Sequence, residues 1–273
     1  LALAFELVDL ADAQTLPRYE QRTFTVERKA DRTEVTEADR GAETAIRRHL
    51  ALMRPSHAVL GEEHGLEDAG TSPWRWIIDP IDGTSNFVKG VPVWATLVAL
   101  AHADFGVQVA VVSAPAMKSR WWATRGGGSF AGGRRVQVSK VAALNEAHLC
   151  VTWNDGWGAL GLGPNLARLQ EKAWRTRGFG DFWQHMLVAE GAVDVAVDAI
   201  GVSAWDLAAV QLLVEEAGGR LTDRLGAPGY QGGSAVSSNG LLHDEVIAAL
   251  APVPPAAAAA APPPTPAPPA PAH

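Results

Sequence analysis

The segment WIIDPIDGTSNF occupies residues 76–87 of a chain of 273 residues. Its first part is an apolar run typical of a buried strand, and this run leads into two aspartates, Asp79 and Asp82. A strand end holds a carboxylate in a fixed direction, and Pro80 restricts the backbone between the two acids. We therefore expect the carboxylates of Asp79 and Asp82 to converge on one point.

Converging carboxylates repel one another unless a cation lies between them. Two further motifs place acids in a similar setting: GEE at residues 61–63, whose Glu62 lies 17 residues before Asp79, and the pair Trp205-Asp206. Taken singly, Glu62 or Asp206 is typical of a solvated loop or a helix cap. Taken together, the acids indicate a metal site, and oxygen ligands with no nearby His or Cys favour Mg²⁺ or Mn²⁺.

The residues that follow Asp82 are suited to binding phosphate. Gly83 allows the backbone to approach a ligand closely. Thr84, Ser85 and Asn86 can open a short helix whose first N–H groups face outward, and such a helix end binds phosphate. A phosphate between this end and a carboxylate-bound metal pair is the arrangement of metal-assisted phosphomonoester hydrolysis.

The composition excludes several classes of protein. The formal net charge is −7 and the basic residues are scattered, so we expect no affinity for nucleic acid or for an anionic membrane. The longest apolar stretch, residues 91–103, is too short to span a bilayer. The single cysteine, Cys150, cannot form an intrachain disulfide, which indicates a reducing, cytoplasmic compartment.

The chain is expected to consist of two halves and a tail. Residues 1–143 carry two helical patterns and then short apolar runs, which suit an antiparallel meander. The predicted helices of this half are 1–14 and 36–53, and the predicted strands are 57–60, 76–78, 95–101, 107–112 and 136–138.

Residues 144–250 alternate strand and helix patterns, which predicts an α/β half with a mixed sheet. The predicted strands are 149–152, 193–197, 220–222 and 235–237, and the predicted helices are 164–172, 182–190, 205–217 and 241–250. Residues 251–273 contain 10 of the 18 prolines and no Asp, Glu, Lys or Arg, so we expect an extended, disordered Ala/Pro tail.

The same motifs resemble those of a known family. DPIDGT within residues 76–87, the upstream GEE and WDLAAVQLLVEEAGG at residues 205–219 are similar to the inositol-monophosphatase superfamily of Mg²⁺-dependent phosphatases. The resemblance covers residues 1–250. It implies an α/β (α+β) fold, a layered αβαβα sandwich with a largely antiparallel first sheet and a smaller mixed second sheet. It also implies a homodimer.

The resemblance further implies which residues bind the metal and the phosphate. Two or three Mg²⁺ ions, which Mn²⁺ could replace, would be held by Glu62, Asp79, the carbonyl of Ile81, Asp82 and Asp206. The phosphate oxygens would be held by the amides of Gly83, Thr84 and Ser85.

The water-activating pair of the family would fall on Thr84 and on Asp39, which belongs to VTEAD at residues 35–39. From its position alone, Asp39 is more typical of an acid in the first turn of a helix. The implied reaction is in-line attack on phosphorus by a metal-activated water that Thr84 orients. Lys29 lies where the family carries a basic residue, but the spacing is loose and a solvated lysine also fits.

Three further segments, residues 88–100, 111–130 and 180–198, resemble the actinobacterial type of histidinol-phosphate phosphatase within this superfamily. They imply that the phosphomonoester substrate is L-histidinol phosphate and that the enzyme serves histidine biosynthesis. The fold and the metal ligands are common to the whole superfamily. An inositol-1-phosphate phosphatase of broad specificity is therefore the alternative.

Two acids could bind the cationic part of histidinol phosphate. Asp181 lies where that branch has an acid, and it could pair with the substrate ammonium or cap a helix that begins at Phe182. The acid that the family usually has seven positions before Asp206 is replaced by Ala199. Asp198, one residue earlier, could serve instead if the following loop has a one-residue insertion, or it could be a solvated acid at a strand end.

Overall fold

A computed structural model describes residues 1–29, 33–68, 70–198 and 200–251. The described helices are α1 (Ala2–Gln21), α2 (Glu37–Met53), α3 (Thr84–Lys89), α4 (Gly156–Ala159), α5 (Gly163–Lys172), α6 (Asp181–Ala189), α7 (Ala204–Glu216) and α8 (His243–Leu250). Within the described part of the chain, no helix has both the length and the apolar character needed to cross a membrane.

The strands form a two-stranded ribbon, a large sheet and a small sheet. The ribbon consists of β1 (Val26–Arg28) and β2 (Glu34–Thr36). The large sheet contains β3 (Ala58–Gly61), β4 (Gly65–Glu67), β5 (Trp74–Asp82), β6 (Ala95–His102), β7 (Gly106–Ala114), β8 (Ser119–Thr124), β9 (Gly128–Ala131) and β10 (Arg134–Val136). The small sheet contains β11 (His148–Thr152), β12 (Arg175–Arg177), β13 (Val195–Asp198), β14 (Arg220–Thr222) and β15 (Ala235–Ser238).

Strand pairing differs between the two sheets. The large sheet has the order β10-β9-β8-β7-β6-β5-β3-β4, and its neighbouring strands are antiparallel except for the parallel pair β3 and β5. The small sheet has the order β12-β11-β13-β15-β14, in which β11 is parallel to β12 and β13 while β15 is antiparallel to β13 and β14. The predicted antiparallel and mixed sheets are confirmed.

The helices form three layers around the two sheets. Helices α1 and α2 cover one face of the large sheet, α6 and α7 lie between the sheets, and α5 and α8 cover the outer face of the small sheet. Along β5, buried Trp76 and Ile78 face the first layer whereas Ile77 faces the middle layer, as the alternation of a strand requires. The predicted αβαβα sandwich is confirmed.

The first helix is longer than predicted. It continues past residue 14 to Gln21, and Pro17 lies inside it. Tyr19, near its end, packs against the rings of Phe87 and Trp94. This tertiary contact outweighs the tendency of a proline to end a helix.

Several short strands also differ from the prediction. The strand expected at residues 136–138 ends at Val136, and the N–H of Val138 donates to the carbonyl of Ala217 instead. Strands β1, β2, β4, β8, β9 and β12 were not predicted, because they are short and most of them lack a continuous apolar pattern.

The large sheet lies before residue 143 and the small sheet lies after residue 144. The division of the chain into two halves at this point stays a prediction. The predicted tail at residues 251–273 lies, apart from Ala251, outside the described residues.

A buried carboxylate fixes the turn that carries Glu62. Glu43 of α2 is fully buried, and its Oε2 accepts a hydrogen bond from the N–H of Glu63 at 2.7 Å. The Nε of Arg47 donates to the other oxygen at 2.7 Å. A Cβ at Gly61 would overlap this carboxylate, so the turn requires glycine at that position.

We predict that Gly61→Ala destabilises the fold by roughly 1–3 kcal/mol, because the added methyl group must displace the buried Glu43 carboxylate. The matched control is Gly41→Ala in α2, where the nearest atom to a new Cβ lies 3.9 Å away. This control should be stabilised by about 0.5–1 kcal/mol. Urea unfolding of the three proteins measures both effects, and equal stability of the two variants would contradict the assignment.

Candidate active site

Three acids meet where β5 ends and α7 begins. Asp79 and Asp82 lie at the end of β5, and Asp206 lies in the first turn of α7. One carboxylate oxygen from each acid lies within 4.8 Å of the other two. The buried Asp79 is further fixed by the N–H of Ile81, which donates to its Oδ1 at 3.0 Å. The structure thus brings together the acids that were expected to converge.

The starts of two helices hold Asp82 and Asp206. The N–H of Ser203 donates to Asp206 Oδ2 at 2.5 Å in a capping box at the start of α7. The N–H of Phe182, in the first turn of α6, donates to Asp82 Oδ2 at 2.6 Å. A helix N-terminus favours negative charge, so both acids lie where the backbone partly stabilises them.

Burial and mutual repulsion oppose ionisation of the three acids. Burial raises the pKa of Asp79 well above its usual value, and the charges of Glu62, Asp206 and Asp82 raise it further. Burial also raises the pKa of Asp82, to which the charges of Asp181 and Asp206 add. The pKa of Asp206 is raised to about 6, mainly by burial. The ionised cluster therefore needs a cation, and its oxygen donors fit a divalent metal ion such as Mg²⁺.

A cavity of about 300 Å³ opens over these acids. Its walls include the residues predicted from the sequence to bind metal or phosphate: Glu62, Asp79, Ile81, Asp82, Gly83, Thr84, Ser85 and Asp206. Neither histidine nor cysteine occurs among the described residues that line it. The structure gathers the predicted residues around one space, and their individual roles stay predictions.

Thr84 and Asp39 lie side by side. Thr84 Oγ1 is 3.1 Å from Asp39 Oδ1 and 3.0 Å from the carbonyl oxygen of Ile81. The other carboxylate oxygen of the fully buried Asp39 accepts hydrogen bonds from the N–H and the hydroxyl of Thr36, at 2.8 and 2.6 Å. Burial raises the pKa of Asp39 to about 6, although the hydrogen bonds from Thr36 lower this pKa. Asp39 is therefore both the capping acid of α2 and the neighbour of Thr84.

Lys29 lies at the edge of this acidic site. Its Nζ donates to Glu62 Oε1 at 2.9 Å and to Glu63 Oε1 at 2.7 Å. Burial disfavours the charge on Lys29, but its hydrogen bonds to Glu63 and Glu62 outweigh burial and raise its pKa. The alternative of a solvated lysine is therefore wrong.

The backbone turns sharply at Gly83, between β5 and α3. Gly83 has a φ of 85°, which favours glycine, and a Cβ there would lie 3.0 Å from the carbonyl oxygen of Val93. The short helix expected after Gly83 is confirmed as α3, and its residue Ser85 donates to Glu34 Oε2 at 2.9 Å. The first turn of α3 therefore begins in the wall of the cavity.

A second cavity, of about 170 Å³, adjoins the first and shares Asp82, Asp181 and Asp206 with it. The Nδ2 of Asn86 donates to Asp181 Oδ2 at 2.6 Å. Asp181 is the first residue of α6, and its carboxylate accepts from Asn86 rather than from a backbone N–H of this helix, which argues against the alternative of a helix cap. Burial raises the pKa of Asp181 to about 6, and the charges of Asp198 and Asp206 contribute.

Asp198 also lines the second cavity and is 5% exposed, so it is not a solvated acid at a strand end. It contacts Gln184 and His185, which the sequence analysis did not assign to the site. Their only signal in the sequence is a polar pair within the otherwise largely apolar DFWQHMLVA of α6. Ala199, where the family usually has an acid, lies outside the described residues.

Comparison with known proteins agrees with this geometry. The model of the inositol monophosphatase family matches residues 1–254. The histidinol-phosphatase of Mycobacterium tuberculosis is 50% identical over 255 residues, which cover 92% of this chain and 97% of that protein. The histidinol-phosphatase of Streptomyces coelicolor is 47% identical over 258 residues, which cover 92% of this chain and 96% of that protein.

A similar fold occurs in the crystal structure of the extragenic suppressor protein suhB from Bartonella henselae. The two structures superimpose with a TM-score of 0.83 at 28% sequence identity, and the match covers 91% of this chain and 97% of that chain. With a family match over nearly its whole length and an acidic cavity built from the motifs of that family, the chain belongs to the inositol monophosphatase family of phosphatases.

Proposed function

We propose that the chain is a Mg²⁺-dependent phosphatase that hydrolyses L-histidinol phosphate to L-histidinol and phosphate. The observation that carries the proposal is the cavity in which three mutually repelling carboxylates lie beside Thr84 and the start of α3. The choice of substrate is supported by the names of two enzymes, both called histidinol-phosphatase, whose sequences are 47% and 50% identical to this chain.

In this proposal the metal is held by Glu62, Asp79, the carbonyl of Ile81, Asp82 and Asp206. Two or three Mg²⁺ ions fit the number of donors, and Mn²⁺ has the same preference for oxygen. Bound Mg²⁺ supplies a Lewis acid that polarises the phosphate and lowers the pKa of a coordinated water. The burial of the acids in a region of low dielectric strengthens their attraction for such a cation.

Thr84 and Asp39 orient the attacking water. The Thr84 hydroxyl donates a hydrogen bond to Asp39 Oδ1 across 3.1 Å, which leaves its oxygen lone pairs to accept a hydrogen bond from the attacking water. Asp39 is ionised above pH 6 because its pKa is about 6. The hydrogen bonds from Thr36 keep the carboxylate pointed at Thr84.

The N–H groups of Gly83, Thr84 and Ser85 bind the phosphate oxygens at the start of α3. These donors are fixed by the backbone before the substrate arrives, so they stabilise the growing charge on the phosphate without reorganisation. The leaving alkoxide takes a proton from water.

Asp181 and Asp198 bind the part of the substrate that lies beyond the phosphate. Both acids line the second cavity, which adjoins the phosphate site. The ammonium group of histidinol phosphate would offset their repulsion, whereas the hydroxyls of an inositol ester carry no charge. This difference favours histidinol phosphate over the alternative, inositol 1-phosphate.

We also propose that the enzyme acts as a cytoplasmic homodimer in histidine biosynthesis. The names of the related enzymes support the pathway. A buried, unpaired Cys150 is compatible with a reducing compartment.

Phosphate release should be measured in parallel from L-histidinol phosphate and D-myo-inositol 1-phosphate, with Mg²⁺ and with EDTA. We expect Mg²⁺-dependent release with a kcat/KM for histidinol phosphate at least roughly tenfold above that for the inositol ester, because only the former carries a cation. A preference for the inositol ester would favour the alternative. Equal release in EDTA would contradict the metal dependence.

We predict that Mg²⁺ stabilises the protein more at pH 8 than at pH 5. The pKa of Asp206 rises from 3.8 to about 6 on folding, so this group costs stability as the pH rises from about 4 to 6. The raised pKa values of Asp79 and Asp82 act in the same direction. Saturating Mg²⁺ offsets this cost, and melting curves should show a rise in Tm of roughly 5–10 °C at pH 8 and a smaller rise at pH 5.

The variant Asp82→Asn should lose most of this Mg²⁺-induced rise together with phosphatase activity, since it removes one charge without changing the shape of the side chain. Asp104→Asn is the matched control, because the Asp104 side chain is 78% exposed and lies outside both cavities. The assignment would be wrong if Asp82→Asn kept the full shift or if the two variants behaved alike.

A further inference from the structure

The second cavity contains four acids, and the basic side chain among its described lining residues is that of His185. Its described lining includes Asp181 and Asp198, besides Asp82 and Asp206 of the adjoining site. No lysine or arginine occurs among these lining residues. An ionised carboxylate that is this deeply buried requires a positive partner or several hydrogen bonds.

Asp198 is held by two side chains of α6. Its Oδ2 accepts a hydrogen bond from Gln184 Nε2 at 2.7 Å, and His185 Nε2 lies 2.8 Å from the same oxygen. The other ring nitrogen of His185 is 2.8 Å from Ser237 Oγ. If the Ser237 hydroxyl donates to Nδ1, then Nε2 carries the proton and donates it to Asp198.

This network connects α6 to three neighbouring strands of the small sheet. Gln184 Nε2 also lies within hydrogen-bonding distance, 2.8 Å, of Thr152 Oγ1 at the end of β11. Asp198 ends β13, and Ser237 lies on β15. Gln184 is 0% exposed and His185 is 2% exposed, so neither can turn toward solvent without breaking the core.

The consequence for Asp198 is that its two oxygens have different roles. Oδ2 is committed to Gln184 and His185. Oδ1 makes no hydrogen bond to any described residue, and Asp198 belongs to the cavity wall. Asp198, which is 5% exposed, is thus held through Oδ2, while Oδ1 stays available at the wall of the acidic cavity.

We propose that His185 is a positioning residue that holds Asp198 so that, with Asp181, it binds the ammonium group of an amine-bearing phosphomonoester. This inference rests on the proposed phosphatase function and deepens it. It assigns the selection of a cationic over an uncharged ester to a histidine that acts through Asp198, because His185 borders the second cavity but is only 2% exposed. The same arrangement explains how Asp198 can serve although the usual acidic position of the family is Ala199.

The test compares two substitutions of His185 that retain different atoms of the ring. In His185→Gln the side-chain amide nitrogen can occupy the place of Nε2 and donate to Asp198. In His185→Asn the shorter side chain can replace only Nδ1, so the bond to Asp198 is lost. The measured quantity is the ratio of kcat/KM for L-histidinol phosphate to kcat/KM for D-myo-inositol 1-phosphate.

We expect His185→Asn to lower this ratio roughly tenfold, mainly through a higher KM for histidinol phosphate. His185→Gln should keep the ratio within about threefold of the original protein. The matched control is His243→Asn, because His243 is also buried and bridges two hydroxyls of the small sheet, Thr222 and Ser238, but contacts no carboxylate. Its ratio should not change.

Equal losses on both esters, or the same loss in His185→Gln as in His185→Asn, would overturn the positioning role. If His185→Asn does not fold, the isosteric Asp198→Asn replaces it and should lower the ratio at least roughly tenfold. An unchanged ratio in Asp198→Asn would contradict the proposal.

Failure of the proposed substrate can be recognised separately. If the original protein prefers the inositol ester, the same variants are compared on O-phosphoethanolamine and glycerol phosphate, one cationic and one uncharged at that end. If His185→Asn lowers kcat/KM for O-phosphoethanolamine but not for glycerol phosphate, the positioning role of His185 is supported and only histidinol phosphate is rejected as the substrate. If the variants leave the ratio of kcat/KM for these two esters unchanged, the positioning role of His185 is rejected.

Discussion

The convergence of the buried Asp79 with the half-buried Asp82 and Asp206, within 4.8 Å of one another, is the constraint on which the rest of the site depends. Three carboxylates this close together and partly removed from water repel one another, and their raised pKa values express that cost. Backbone N–H groups offset part of the cost, since the starts of α6 and α7 donate to Asp82 and Asp206. The remainder is the driving force for binding a divalent cation.

The layered fold brings these helix starts to one place. The large sheet contributes the end of β5, the middle layer contributes α6 and α7, and the small sheet contributes the end of β13. The apolar core between the two sheets fixes the middle layer, so the acids cannot relax away from one another. The second cavity lies on the small-sheet side of this junction, where a substrate group beyond the phosphate would extend.

Much of this could be predicted from the sequence, because the motifs are local. Pro80 and Gly83 fix the backbone around Asp79 and Asp82 whatever the surroundings, and α7 begins at a motif that orients Asp206 by its own capping box. The long-range contacts could not be predicted. Whether a polar residue of α6 meets an acid of β13 depends on how a helix packs on a sheet, so the contact between His185 and Asp198 left no periodic signal. The same reason applies to Lys29, whose partners lie more than thirty residues away.

The most direct test of the central claim is the position of a bound metal ion. Anomalous diffraction from crystals soaked in Mn²⁺ would locate it without relying on activity. We expect a peak within coordination distance of carboxylate oxygens from Asp79, Asp82 and Asp206, in the cavity that Thr84 lines. A protein that binds Mn²⁺ only elsewhere, with these three acids free of metal, would contradict the account.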